Sequence, residues 1–329
     1  MRGDDDDLAS LDDMRSLRGR WSMREGLVLS KEVLAWLRGG RRPSGLTEHE
    51  GRIDLRGLAA EPPALTGRVG TGETAFGVLA GVEHIRANWE RLDLSGAVLP
   101  SLRFSGTSIT DCIFRKTSCP DMRLWDCTVR DSSFEGADLR GSALGTWHDH
   151  KANCWINVSF DAADLRDALF YGGEIRCCSF RGSKLARAQF LQATIEKTVI
   201  ASDLREVMFD GRELSDKPTA GPLRDVDFSG AAFADTEFRG YRFERVQLPP
   251  GARPIPNYPV VARRALDLVA DNASKEARML TGELRNALKM LGTRDATGVF
   301  NRADYVVAGG EALADLAESV LRRAEGTPA

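Results

Sequence analysis

A large apolar residue recurs every five positions through the middle of this 329-residue chain, and few folds can use that period. In the stretch SSFEGADLRGSAL (132–144), Phe134, Leu139 and Leu144 are the large members. Ser132, Ala137 and Ser142 stand two positions before them. The series runs from Leu94 to Leu144, resumes from Phe160 to Ile200, continues at Leu204, Phe209 and Leu214, and closes from Phe228 to Leu248. Of these 28 centres, 27 are Leu, Phe, Ile or Val, and Cys119 is the exception. A helix repeats every 3.6 residues and a strand alternates faces every two, so neither sustains such a pattern. A chain that turns a corner every five residues does. Each corner then sends one large and one small side chain inward, and stacked turns bury a core that no single repeat buries alone.

The period breaks three times. The spacing is 16 between Leu144 and Phe160, 4 between Ile200 and Leu204, and 14 between Leu214 and Phe228. The first and third breaks, GTWHDHKANCWIN and SDKPTAGPL, predict loops that leave the repeat. An earlier fragment, RIDLRGL (52–58), places Ile53, Asp54 and Leu55 as Leu92, Asp93 and Leu94 are placed. It predicts an initial coil, with an insertion over 59–91 that contains the helical pattern TAFGVLAGVEHIRANWERL.

The repeats Ala137-Asp138-Leu139-Arg140-Gly141, Ala163-Asp164-Leu165-Arg166-Asp167 and Ser202-Asp203-Leu204-Arg205-Glu206 resemble the A-(D/N)-L-x-x motif of the pentapeptide-repeat family. The resemblance covers about residues 92–250. It implies a mainly β fold, a right-handed quadrilateral β-helix with four pentapeptides per coil. Twenty-eight centres would then make seven coils, roughly 35 Å of rod at a strand spacing of about 4.8 Å.

The chain divides on this reading into an acidic leader and helical N-terminal cap (1–52), a first partial coil plus insertion (53–91), the repeat rod (92–250) and a C-terminal α-helical hairpin (257–329). Residues 1–20 read as disordered, with Met14 and Met23 as alternative starts. LSKEVLAWLRGG (29–40) reads as a short helix capped by Ser30 and stopped by Gly39–Gly40. At the other end, steps of three and four run from Leu266 to Leu291 and predict one helix from about Val260 to Leu291. A second helix follows from about Ala303 to Ala324. A first helix that long exceeds what capping a narrow rod requires. Leu280, Leu284, Leu288 and Leu291 therefore become candidates for homodimer contact.

Charge narrows the function. The rod region carries 20 basic and 23 acidic residues, so phosphate-driven nucleic-acid binding is not expected. No apolar run reaches the length of a membrane span, and no signal peptide opens the chain; a cytoplasmic protein without a membrane partner is expected. Cys112, Cys119, Cys127 and Cys178 fall at inward positions and read as small core residues, whereas Cys177 reads outward. The Asp-Leu-Arg triplets at 54–56, 138–140, 164–166 and 203–205 read as a surface charge lattice paired between coils. In the first loop, His148, His150 and Cys154 have the spacing of three zinc ligands, but no fourth ligand accompanies them, and a plain surface loop is the expectation. Trp147 and Trp155 flank it as candidates for partner contact.

No phosphate loop, nucleophile elbow or HExxH motif occurs, and no cofactor is expected. The reading is a non-enzymatic interaction scaffold whose protein partner the sequence does not name. The family resemblance implies one alternative. Some pentapeptide-repeat proteins are strongly acidic DNA mimics that bind DNA gyrase, and they also carry dimerising C-terminal helices.

Overall fold

Each five-residue unit is a short extended segment followed by a sharp corner, and most corners share one conformation. The residue two positions after most centres sits in the left-handed region, as at Asp111 (φ 52°), Asp131 (φ 49°), Gly136 (φ 63°), Gly141 (φ 64°) and Asp167 (φ 61°). Glycine enters that region freely, and Asp and Asn do so more readily than other side chains, which explains their abundance there. The computed structural model describes residues 15–60, 83–145, 147–148, 151–213, 220–290 and 295–326.

Strands pair in parallel with partners one coil away, 20 residues on in the regular part. Phe104 lies over Leu124, Ile109 over Val129 and Ile175 over Ile195. The chain visits four columns in turn. One contains Arg103–Ser105 and Gln189–Leu191, and the next is an eight-stranded sheet from Asn88–Glu90 to Phe243–Glu244. A third runs through Asp93, Ile113, Ser133 and Ser159, and a fourth through Val98, Ser118, Asp138 and Asp164. The first break is a hairpin, Trp147–His148 against Lys151–Ala152, after which the register becomes 26, with Trp155 over Val129. The second is a true one-residue deletion, because Phe190 meets Phe209. Leu214 and most of the third break lie outside the described residues. Leu223 resumes the series beyond them, buried and opposite Phe243.

The core is two aromatic ladders. Phe114, Phe134, Phe160 and Phe180 stack in one, with neighbouring centroids 4.4, 5.5 and 4.8 Å apart. Phe170, Phe190, Phe209 and Phe238 stack in the other at 4.8, 4.8 and 5.0 Å. The ladders meet edge to face. The small inward position lets the coils close on this core, and its hydroxyls are satisfied by the coil before. Thr107 Oγ1 donates to the His84 carbonyl, Thr117 Oγ1 to Leu94 and Ser183 Oγ to Phe160, at 2.8–2.9 Å.

The start of the chain departs from expectation. Residues 15–22 are helical, and helix α1 spans Arg24–Leu37, so Ser30 is an interior residue whose hydroxyl bonds Leu27 O. Gly39 (φ 100°) ends α1 as expected. Ile53 pairs with Leu92 as the fragment implied. The predicted helix after it is absent over 83–90, which forms strands Glu83–Ile85 and Asn88–Glu90 with His84 and Trp89 as buried centres. The five-residue period therefore extends two steps before Leu94.

Among the described residues, four helices and a ribbon stand where a C-terminal hairpin of two helices was expected. Helices α2 (Tyr258–Val269) and α3 (Lys275–Met290) are separate, because Ser274 accepts the Ala277 N–H and caps a new start. Helices α4 (Arg302–Gly309) and α5 (Glu311–Gly326) follow. Antiparallel strands Ala252–Ile255 and Gly298–Asn301 lie between rod and helices. Alternation divides the ribbon. Val299 packs on the rod core and Asn301 donates to Phe233 O, while Phe300 enters the helical core and Gly298 faces the Tyr258 ring.

Candidate functional surfaces

Three residues of every five face outward, and on this rod they form ion pairs. Asp138 holds Arg140 at 2.7 Å, Asp164 holds Arg166 at 2.6 Å and Asp54 holds Arg56 at 3.0 Å. These pairs close within one repeat, which corrects the expected pairing of the triplets between coils. Residues on either side of an inward centre share the outer face, so the two side chains meet directly. Other residues bridge the coils: Asp167–Arg187 at 2.7 Å, Asp225–Arg245 at 2.6 Å and Arg224 between Glu196 and Glu244. Burial alone would raise the Asp54 carboxyl, but the guanidinium groups of Arg20 and Arg56 hold it far below the usual carboxylate range.

The cysteines are internal where the period put them. Burial pushes the thiols of Cys112 and Cys178 up to about 12 and that of Cys127 up to about 11, so none is a thiolate at neutral pH. Cys119 is buried and shifted the same way, and Cys177 is exposed.

An interior built on a five-residue step, with coils 20 residues apart, decides the architecture. It is that of the pentapeptide-repeat family. No family model and no curated protein sequence matches the chain. Solved pentapeptide-repeat structures do. One from the Arabidopsis thaliana thylakoid lumen is 16% identical, covers 32% of this chain and 63% of its own, and has a TM-score of 0.21. QnrB1, a plasmid-mediated fluoroquinolone resistance protein, is 17% identical over 60% of this chain and 91% of its own, at a TM-score of 0.21. HetL, a protein involved in heterocyst differentiation regulation in the cyanobacterium Nostoc, is 16% identical over 51% and 90%, at 0.22.

On the pentapeptide rod, Trp155 is not a surface residue. It is a core centre, and its indole donates to Leu144 O at 2.7 Å. The series of centres read from the sequence skipped it, because the six-residue hairpin displaces it from the step of five. Trp147 and His148 form one strand of that hairpin. His150 lies outside the described residues. Cys154 is half-buried, with Sγ 4.0 Å from Glu174 Oε2. Among the described residues no three His, Cys, Asp or Glu side chains gather as metal ligands. Purified protein should therefore carry no stoichiometric zinc by elemental analysis, and chelation should leave its melting temperature unchanged. One zinc per chain, lost on His148→Ala/His150→Ala, would establish a site in the hairpin.

Leu280 and Leu284 were candidates because one long helix would have left them uncovered. They are instead fully buried in a core with Val261, Ala265 and Val269 of α2 and Leu313, Ala317 and Leu321 of α5. Leu288 packs at the edge of that core, and Leu291 lies outside the described residues. The break at Ser274 folds α3 back on α2 and turns the leucine stripe inward. Self-association through Leu280 and Leu284 is thus not available to the folded chain.

Sequence reasoning also missed a surface. Met23, Leu27 and Val28, beside and on α1, are 70, 50 and 58% exposed. Their spacing was legible, but the helix was expected to begin at Leu29. Among the described residues, no helix is long and apolar enough to cross a membrane.

Proposed function

We propose that this chain is a non-catalytic, cytoplasmic interaction scaffold whose rod is a right-handed, four-sided β-helix. One observation carries the reading: the rod's outward carboxylates stand beside arginines. In one column Asp138 stands beside Arg140, Asp164 beside Arg166 and Asp167 beside Arg187, and in another Asp225 stands beside Arg245 and Arg224 between Glu196 and Glu244. A surface of closed pairs presents polar shape and little net field. It suits recognition of a folded partner by complementary contacts along the rod. It does not suit imitation of a phosphate backbone, which needs an uncompensated negative stripe.

The C-terminal helices, which sequence reading shared with the gyrase-binding alternative, here fold on each other behind the ribbon. The discriminating experiment is a supercoiling assay with purified DNA gyrase, with and without a fluoroquinolone. Micromolar protein should leave both reactions unchanged. Protection or inhibition at that concentration would replace the scaffold reading with the gyrase-directed one.

A further inference from the structure

We infer that the N-terminal end of the rod is a contact surface for anionic phospholipid membrane. Helix α1 lies across that end. Its inner face places Val33 and Leu37 in the rod core, and the Leu37 carbonyl accepts bonds from the His84 and Trp89 rings at 2.9 and 3.1 Å. Just before it, the Trp21 indole donates to Arg56 O of the first coil. Both ends of the segment are thus anchored, and the opposite face of α1 points away from the rod.

That outer face combines two chemistries. Leu27 and Val28, with Met23 at the helix start, are strongly exposed. At helical spacing Arg24, Lys31 and Arg38 fall on the same side, all exposed, and Glu25 and Glu32 occupy its margin. Between residues 15 and 42 the chain has eight Lys or Arg and two Glu, in a protein whose net charge is −3. A soluble protein gains nothing from displaying apolar side chains on a rigid ridge, and such displays mark interaction sites.

The charge selects the occupant. At helical spacing Arg24 and Lys31 lie between Leu27 and Val28 on this face, so its occupant must offer negative charge and apolar surface together. The outer face of α1 is a convex ridge, which meets a flat surface more readily than it wraps a peptide. An anionic bilayer supplies that plane, an apolar interior for Met23, Leu27 and Val28, and negative headgroups for the cations. The inference is independent of the scaffold reading, which rests on the sides of the rod.

The test is flotation of the full chain with vesicles of phosphatidylcholine alone and of phosphatidylcholine mixed with phosphatidylglycerol, at low and high salt. The protein should float with the anionic vesicles only and detach as salt rises. Arg24→Gln/Lys31→Gln should weaken binding by roughly tenfold or more, and Leu27→Glu/Val28→Glu should abolish it. All four side chains are exposed, so circular dichroism melts should not change. Absence of binding, or binding indifferent to these substitutions, would overturn the inference. So would light scattering that shows a dimer lost on Leu27→Glu/Val28→Glu, which would make a second copy the occupant.

Discussion

Phe180→Ala should lower the unfolding free energy by about 3–5 kcal/mol, the range for deleting a buried aromatic ring and leaving its cavity. Phe180 is fully buried. It stacks on Phe160 at 4.8 Å and meets Phe170 and Phe190 edge to face at 5.9 and 6.1 Å. The next coil holds its backbone: its N–H donates to Val199 O at 2.9 Å, and its carbonyl accepts from the Ser202 hydroxyl. The walls therefore cannot collapse onto the vacancy without breaking ladder bonds, which places the loss toward the upper end. Arg181→Ala, one residue away and outward, should change stability by less than about 0.5 kcal/mol. Denaturant melts of the two variants decide the matter. A soluble Phe180→Asp protein with an unchanged melt would refute the assignment of inward and outward positions along the whole rod.

The second large effect is a loss of the N-terminal cap in acid. His84 fills a core centre, stacked on Phe104 at 5.0 Å and edge-on to Trp89 at 4.9 Å. Its Nδ1–H donates to Leu37 O, and Nε2 is buried without a partner. Burial, with Arg38 just past the end of α1 adding repulsion, pushes its pKa down to about 4. The unfolded chain binds this proton near pH 6.5, so stability is full above that value and falls as the pH drops toward 4. The shift corresponds to roughly 3 kcal/mol. Because the hydrogen bond of the His84 ring runs to Leu37 at the end of α1, the first element to open should be α1. Amide exchange of α1, corrected for intrinsic rates, should accelerate below about pH 6. In His84→Phe, which keeps the stack and removes the titration, that acceleration should disappear. Equal protection of α1 at neutral and acidic pH would rule the mechanism out.

These two residues also show what a sequence can and cannot disclose about such a fold. Phe180 was readable because the coil forces one large residue inward every fifth position, whatever lies around it. His84 obeys the same rule but was overlooked, because an imidazole at a centre looks polar and the surrounding EHIRANWERL also satisfies a helical period. Trp155 and Leu223 were displaced by insertions, and register across an insertion depends on where the loop leaves the coil, which composition does not state. The C-terminal leucines failed for a different reason. Steps of three and four continued across residues 270–274 by coincidence, while Asn272 and Ser274 supplied a turn and a cap that ended one helix and began another. Period predicts which side chains are internal to an element. It does not predict which neighbour covers them.

The ribbon between rod and helices has a consequence for size. Each coil presents a parallel edge on which the next can form, so stacking is in principle an open-ended growth with no intrinsic length. The strands Ala252–Ile255 and Gly298–Asn301 pair antiparallel with each other and place Val299 over the last core layer. Thr297 meanwhile donates its N–H to Tyr241 O and its hydroxyl accepts from the Phe243 N–H. That layer is therefore occupied by a surface that cannot template another turn. The molecule ends where its own chain changes strand polarity, so its length is a property fixed by connectivity rather than by the supply of repeats.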